Sequence, residues 1–138
     1  MSISRQTLSV VIVTFKSEHV IHNCIQSISD QIKIIIVDNS NDKKFKEEIE
    51  KKYKNVTCIL SPKNLGMGPG NNLGLKYVKT DYAFVLNPDV ILEKNSIFVN
   101  KKPKCVVPAI FCCSIFFTPE NNGRARIIDL KTECHTKL

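Results

Sequence analysis

The chain has 138 residues, a length that supports at most one packed domain. Its composition, 43% hydrophobic and 24% charged, is typical of soluble globular proteins and excludes wholesale disorder. The formal charge of +7 would suit a nucleic acid, an anionic membrane surface or a phosphorylated small ligand. Much of this excess lies in residues 43–54, where lysines and glutamates alternate as on a solvated helix face. The charge by itself therefore selects none of the three.

The six cysteines raise the question of disulfides or zinc. The amino terminus lacks the long apolar segment of a secretory signal, and Cys24 and Cys58 lie within apolar patterns. Cys112-Cys113 and Cys134-His135 lack the paired Cys-x-x-Cys spacing of zinc sites. We therefore expect free, structural thiols in a reduced, cytoplasmic setting. The longest apolar run, residues 105–117, is shorter than the ~20 residues that cross a bilayer.

Four apolar segments are predicted to form buried strands. They cover residues 8–13, 32–37, 56–60 and 82–86. The last of them breaks into Asn87-Pro88-Asp89, and Pro88 ends the ladder because it has no N–H. Parallel strands buried on both faces are the structure that such nearly continuous apolar runs indicate.

Helical patterns separate these strands. Apolar residues recur at helical spacing in residues 20–28, after Ser17 as a potential N-cap. A second stripe consists of Phe45, Ile49 and Tyr53 on the charged segment. In the third, Gly70 and Gly74 would let the helix backbone approach the sheet closely. Alternating strands and helices predict an α/β fold with right-handed crossovers.

Polar residues follow the carboxyl end of every predicted strand. They are Thr14, Asp38-Asn39, Lys63-Asn64, and Asn87 with Asp89. Ligands of open α/β sheets bind outside those strand ends, and the opposite ends show no comparable set. Each cluster alone could be a turn. Four clusters on the same rim indicate a binding site.

Known phosphate-binding motifs do not account for this rim. Gly66, Gly68 and Gly70 are spaced at two and follow the third strand, so they do not match the dinucleotide-binding fingerprint. The chain has neither a Gly-Lys-Ser/Thr loop nor a Gly-x-Ser-x-Gly elbow.

Taken in order, the motifs resemble the family 2 glycosyltransferases of the GT-A fold, and their rhamnosyltransferase-like bacterial branch in particular. The resemblance rests on Val11-Ile12-Val13-Thr14-Phe15, on Val37-Asp38-Asn39-Ser40, on residues 64–74 and on Leu86-Asn87-Pro88-Asp89. It covers residues 7–93. It implies a Rossmann-like three-layer α/β/α sandwich with a mainly parallel sheet. Residues 1–94 would form the nucleotide-sugar-binding half, and residues 95–138 a divergent or truncated C-terminal segment of the same domain.

The resemblance assigns the nucleoside to the first two strand ends. Thr14 and Phe15 would border the base, and Asp38, with Asn39 beside it, would accept hydrogen bonds from the base or the ribose. The alternative for Asp38 is that it caps the following helix.

The same resemblance assigns the sugar and the diphosphate to the other two strand ends. Asn64, Gly66 and Asn71 would line the sugar-nucleotide cleft. Asn87 stands where the family often has the first aspartate of an Asp-x-Asp motif. Asp89 would hold Mg²⁺ or Mn²⁺ against the diphosphate, because a hard cation needs few protein ligands when phosphates supply the rest.

The implied reaction transfers a sugar from a dTDP- or UDP-linked donor to a glycan or lipid-linked acceptor, with inversion. It requires a general base on the acceptor side. Among the late carboxylates, Glu93, Glu120, Asp129 and Glu133, none stands in the family's sequence context. The catalytic residue is therefore unassigned, and a non-catalytic nucleotide-sugar-binding or assembly module is the alternative.

Further expectations concern the partners and the late strands. The family setting implies a cytoplasmic protein, compatible with peripheral association with the membrane face. A nucleic acid is not expected as a partner, because the chain has no standard binding motif. Residues 102–108 resemble the family's next strand, and residues 116–118 and 126–128 flank Asn122-Gly123 as a hairpin would.

Overall fold

The computed structural model describes residues 8–92 in full and, beyond them, the backbone of two late strands. The elements are β1 (Leu8–Thr14), α1 (Glu18–Ser27), β2 (Lys33–Asp38), α2 (Lys43–Lys52), β3 (Val56–Leu60), α3 (Met67–Leu75), β4 (Tyr82–Leu86), β5 (Ile115–Thr118) and β6 (Arg126–Asp129). All four predicted parallel strands and all three predicted helices are present.

The strands form one sheet in the order β3-β2-β1-β4-β5-β6. The first four are parallel, whereas β5 pairs antiparallel with β4, and β6 antiparallel with β5. The predicted hairpin strands therefore pair, and Phe117 opposes Ile127. The proposed strand at residues 102–108 lies outside the described residues, as do Glu93, Glu120 and Glu133.

The two faces of the sheet are both buried, which explains the continuous apolar runs. On one face, Ile12 and Ile36 pack in a cluster that also contains Ile21 of α1 and Ile49 of α2. On the other face, Val11, Ile35 and Val85 pack against Leu75 of α3. The structure thus has three layers, helix–sheet–helix, and the predicted α/β sandwich is confirmed. No helix within residues 8–92 has the length and apolar character needed to cross a membrane.

Two glycines bring α3 close to the sheet. A Cβ atom on Gly70 would lie 2.9 Å from Cγ1 of Val13, and one on Gly74 would lie 2.5 Å from Cγ1 of Val11. Such distances are too short for carbon–carbon contact, so only glycine fits at this spacing. The close approach predicted for these two positions is confirmed.

The helix caps differ in part from expectation. Ser17 stands at the N-cap position of α1, but its side chain makes no capping bond. Its Oγ instead accepts a hydrogen bond from the Phe15 N–H at 3.3 Å and lies 3.2 Å from the Phe15 carbonyl oxygen. In α2 the cap is Asp42, whose Oδ1 accepts from the N–H groups of Lys44 and Phe45. Capping of α2 by Asp38 was therefore the wrong alternative.

The lysine-rich helix α2 also protects an edge of the sheet. β3 is the outermost strand on its side, and Glu50 Oε1 accepts a hydrogen bond from the Cys58 N–H at 2.7 Å. The Lys46 ammonium donates to the Cys58 carbonyl and pairs with Glu50 at 2.8 Å. Two side chains thereby satisfy backbone groups that an edge strand leaves open to other chains.

The ion pair shifts the titration of Glu50. Burial by itself would raise the pKa of this carboxyl, but the hydrogen bonds from Lys46 and the Cys58 N–H, with the Lys46 charge, outweigh it and lower the pKa. A lowered pKa in the folded state means that the ionised carboxylate stabilises the fold.

We expect Gly74→Ala to lower the free energy of unfolding by about 1–3 kcal/mol, the usual cost of overpacking a core. Gly68→Ala is the matched control, because a Cβ at this helical position meets nothing within 4 Å. It should leave stability unchanged or raise it by up to about 1 kcal/mol, since alanine favours a helix. Denaturant unfolding measures both variants, and equal stabilities would contradict the close approach of α3.

We expect the stability difference between the parent and Glu50→Gln to depend on pH. The contribution of the carboxylate is full above the ordinary glutamate pKa of 4.5 and is lost as the pH falls through the lower folded-state pKa. Urea unfolding at neutral and acidic pH measures the difference. Glu47→Gln, on the exposed side of the same helix, should show no such decline. A Glu50 difference that persists at low pH would contradict the pairing.

Candidate functional site

The strand registers place the predicted polar clusters on one rim of the sheet. Thr14 of β1 lies opposite Asp38 of β2, and Asp38 lies opposite Leu60 of β3. On the other side of β1, Ile12 pairs with Leu86, the last residue of β4. All four strands therefore end at the same edge. We call this edge, residues 14–15, 38–42, 61–71 and 87–92, the carboxyl rim.

Asp38 is the most heavily hydrogen-bonded side chain of the rim. Only 1% of its surface is exposed. Its Oδ1 accepts from the Ser40 hydroxyl at 2.6 Å, from the Ser40 N–H at 3.2 Å and from the Thr14 hydroxyl at 3.3 Å. Its Oδ2 accepts from the Asp42 N–H at 2.9 Å. Four donors surround one buried carboxylate, and together they shape the loop that follows β2.

Asn39 joins the first strand end to the glycine-rich stretch. Its N–H donates to the Thr14 carbonyl at 2.8 Å. Its side-chain amide donates to the Gly66 carbonyl at 3.2 Å, and its Oδ1 accepts from the Leu65 N–H at 3.4 Å. Asn39 is 4% exposed, so it is a buried connector as well as a rim residue.

The glycine-rich stretch begins with a local turn. Asn64 is exposed, and its Oδ1 accepts a hydrogen bond from the Gly66 N–H at 2.9 Å. Gly66 has a φ of 76°, a left-handed conformation that favours glycine. Its carbonyl then accepts from the Gly70 N–H at 3.3 Å, which begins α3. This turn directs the amino end of α3 toward the carboxyl rim.

Asn71 carries an acceptor that has no partner. Among the side chains of residues 8–92, its Oδ1 is the only buried polar atom without a hydrogen bond. Asn71 lies one helical turn before Leu75, which packs against the Val85 cluster, so it is nearer to the rim than that cluster. Native proteins rarely leave a buried acceptor unpaired, and a ligand is one explanation.

Phe15 follows Thr14 directly and stands out from the rim. Its side chain is 49% exposed, and the Lys16 ammonium lies 5.7 Å from the centre of its ring. Lys16 itself has a φ of 51°. The combination presents an aromatic face and a positive charge beside the buried Thr14–Asp38 pair.

The segment after β4 presents Asp89 to solvent. The Asn87 carbonyl accepts hydrogen bonds from the Val90 N–H at 3.3 Å and from the Cys24 thiol at 3.6 Å. Asp89 is exposed, and no hydrogen bond or ion pair of its carboxylate is found within residues 8–92. Burial, and secondarily the charge of Asp89, raise the pKa of the Cys24 thiol to about 12. The thiol thus stays protonated and able to donate.

A lone carboxylate fits only one kind of metal site. The part of the chain that the structure describes contains no group of three histidines, cysteines or acids able to enclose an ion. Asp89 therefore fits a hard divalent cation that takes most of its oxygen ligands from a diphosphate and water. It does not fit a cation held by protein ligands alone.

The opposite rim of the sheet, at the amino ends of the strands, also has a concave surface. A depression of about 210 Å³ opens there. It is lined by Ser9, Lys33, Ile35, Thr57, Tyr77, Lys79 and Thr80. These residues include hydroxyls and lysines, so polar groups are present at this end of the sheet as well. They include no carboxylate, however, and the candidate site remains at the carboxyl rim.

Sequence reasoning missed several rim residues that act through their backbone or hydroxyl groups. Ser40 and Asp42 donate to the Asp38 carboxylate. Ser61, fully buried, donates its N–H to the Asp38 carbonyl and its hydroxyl to the Lys63 carbonyl. The only sequence signal is the density of Asp, Asn and Ser after β2, which indicates side chains that bond to nearby backbone.

A family model for "Glycosyl transferase family 2" matches residues 9–130 of the chain. The chain belongs to glycosyl transferase family 2. Among its relatives, the low-salt glycan biosynthesis hexosyltransferase Agl10 of Haloferax volcanii is 33% identical over a 94-residue alignment that covers 65% of this chain. The chain spans about 30% of the length of that relative.

Solved structures share the fold of this family 2 chain. Staphylococcus aureus TarS 1–349 in complex with UDP-GlcNAc matches with a TM-score of 0.57 at 22% identity, over 66% of this chain and 29% of that one. The mannosyltransferase PcManGT of Pyrobaculum calidifontis, in complex with GDP-Man and Mn²⁺, matches with a TM-score of 0.59 at 11% identity, over 68% of this chain and 31% of that one. At these identities the similarity establishes the α/β fold.

We expect Asp38→Asn to destabilise this family 2 chain even without a ligand. The asparagine NH₂ group would face N–H and O–H donors, leaving buried groups unpaired at a cost of about 1–3 kcal/mol. Denaturant unfolding measures the loss, with Asp81→Asn, an exposed residue directly before β4, as the control. An unchanged stability would show that the four hydrogen bonds to Asp38 are dispensable.

Proposed function

We propose that the carboxyl rim binds a nucleoside diphosphate sugar and that the chain contributes this donor site to a glycosyltransferase. One observation carries the proposal: the exposed carboxylate of Asp89 lies on the same rim as the buried network of Thr14, Asp38 and Asn39. A charged diphosphate and an uncharged nucleoside need these two environments side by side. Membership of glycosyl transferase family 2 supports the same assignment.

In this proposal the nucleoside lies over the ends of β1 and β2. Phe15 offers its exposed ring to the base, and the Asp38 carboxylate accepts from the base or ribose. Since Asp38 already has four protein donors, a ligand would share its oxygens or replace the Thr14 hydroxyl, whose hydrogen bond is the longest of the four at 3.3 Å. Thr14 is the residue best placed to move.

The sugar and the diphosphate lie, in this proposal, between the glycine-rich turn and the end of β4. Asn64 and Gly66 border the cleft through their turn, and the unpaired Oδ1 of Asn71 accepts from a hydroxyl or N–H of the donor. Asn87 and Asp89 face the diphosphate. Mg²⁺ or Mn²⁺ bound by Asp89 would neutralise the charge of the leaving nucleoside diphosphate.

Ligands of similar solved structures support the donor class and the cation. One solved structure of similar fold is a complex with UDP-GlcNAc, and another is a complex with GDP-Man and Mn²⁺. We propose a UDP- or dTDP-linked donor for this chain, and we retain the rhamnosyltransferase-like branch as part of the proposal. Residues 1–94 would form the donor-binding half, and the pairing of β5 with β4 supports a continuation of the same domain after them.

The acceptor side is also a proposal. Transfer with inversion to a glycan or lipid-linked acceptor needs a general base, and the described side chains offer no carboxylate in the family context for that role. A cytoplasmic location at the membrane face would give access to lipid-linked acceptors. If the base is absent from the functional protein, the chain is instead a non-catalytic nucleotide-sugar-binding module.

We expect UDP or dTDP to raise the melting temperature only when Mg²⁺ or Mn²⁺ is present. Binding confined to the folded state stabilises it by about 2.7 kcal/mol at a hundredfold excess over Kd, which corresponds to several degrees. Asp89→Asn should abolish this shift while leaving the ligand-free melt nearly unchanged, because the side chain is exposed.

Asp30→Asn, an exposed aspartate at the opposite end of the sheet, is the control and should keep the shift. Binding that is independent of metal, or normal binding by Asp89→Asn, would reduce Asn87-Pro88-Asp89 to a turn. Glycoside formation from a bound donor separates a transferase from a binding module.

A further inference from the structure

The segment that carries Asp89 is attached to helix α1 at both of its ends. At the first end, the Cys24 thiol donates to the Asn87 carbonyl at 3.6 Å. At the other end, the Leu92 N–H donates to the Ser27 hydroxyl oxygen at 3.0 Å. Cys24 and Ser27 are three residues apart, so they lie on the same face of α1. One turn of this helix therefore holds residues 87–92, which we call the rim segment.

The interior of the rim segment is held by packing and by a turn. The Val90 N–H donates back to the Asn87 carbonyl at 3.3 Å. Val90 is 0% exposed and Leu92 is 4% exposed, and both belong to the same hydrophobic cluster as Cys24. Because Val90 and Leu92 are anchored in this cluster, the backbone of the rim segment has little freedom to change its conformation.

The hydroxyl of Ser27 is itself oriented. It donates its hydrogen to the Cys24 carbonyl at 2.6 Å. A hydroxyl has one hydrogen and two lone pairs, so this bond leaves the oxygen free to accept from Leu92. Cys24 and Ser27 consequently act as a linked pair, and the loss of either one releases one end of the rim segment.

Asp89 stands between these two attachments, exposed and without a partner of its own within residues 8–92. We infer that Cys24 and Ser27 are positioning residues, which fix the Asp89 carboxylate at the carboxyl rim for a divalent cation bound to a nucleoside diphosphate. The inference rests on the proposed function. Groups that orient a metal-binding side chain are usually worth ten- to a hundredfold in metal affinity.

Cys58 provides a matched control for the thiol. It is another buried cysteine of the same hydrophobic cluster, at 1% exposure, but it lies in β3, and its backbone N–H and carbonyl bond to side chains of α2. Cys58→Ala also removes one sulfur atom from this core, but it leaves the hydrogen bonds of the rim segment intact. A general loosening of the core would affect both alanine variants alike.

The experiment titrates Mn²⁺ into the 138-residue chain in the presence of UDP and, separately, uridine into the chain without metal. Cys24→Ala and Ser27→Ala should each raise the apparent Mn²⁺ dissociation constant by about ten- to a hundredfold. Cys24→Ser and Ser27→Thr keep a donor or a hydroxyl and should restore most of the affinity. Cys58→Ala should stay near the parent value. Uridine, which has no diphosphate, should bind all variants alike.

The outcomes separate this inference from the proposed function. If the parent chain binds UDP without any dependence on Mn²⁺, the proposed function fails and the inference fails with it. If the parent depends on Mn²⁺ but Cys24→Ala and Ser27→Ala keep the parent affinity, only the inference is overturned. Equal losses in Cys58→Ala, or no recovery in Cys24→Ser and Ser27→Thr, would also overturn it. If Cys24→Ala does not fold, the half-buried Ser27 still decides the question.

Discussion

The carboxyl rim depends on one buried charge, the carboxylate of Asp38. A carboxylate removed from water is costly unless hydrogen bonds replace its hydration. Four donors supply that replacement: the hydroxyl and the N–H of Ser40, the N–H of Asp42 and the hydroxyl of Thr14. The loop after β2 therefore has little choice of conformation. Asn39, the next residue, then connects this loop to the glycine-rich turn.

The two sides of the rim are built by different means. On the β2 side, a polar network fixes the backbone, and the glycines bring α3 against the sheet. On the β4 side, the backbone is held mainly by the burial of Val90 and Leu92, together with two hydrogen bonds to α1. The first arrangement buries its carboxylate, whereas the second leaves Asp89 in solvent. That contrast suits a ligand with a nucleoside at one end and a charged diphosphate at the other.

Some of the charged residues of the chain stabilise its fold. The alternating lysines and glutamates of α2 are mostly exposed, as the pattern indicated. Lys46 and Glu50 are exceptions, since they satisfy the Cys58 backbone at the edge of the sheet. An edge strand needs such protection, because its open N–H and C=O groups otherwise recruit further strands. Net charge alone therefore gave no reliable indication of a partner.

The sequence by itself determined the order and type of the elements, their burial and the edge of the sheet at which the polar strand ends meet. Hydrophobic periodicity and helix or strand endings are local properties, and parallel strands necessarily bring their carboxyl ends to one edge. Even the need for glycine at positions 70 and 74 could be inferred. The sequence did not reveal that Asp42, rather than Asp38, caps α2.

Only the tertiary structure decided which polar groups meet. Asn39 reaches Gly66 across 27 residues, Cys24 reaches Asn87 across 63, and Ser27 reaches Leu92 across 65. Such contacts depend on how α1 and α3 lie against the sheet, and no local pattern encodes them. The same holds for the unpaired oxygen of Asn71, because an acceptor is known to lack a partner only when all of its neighbours are in place.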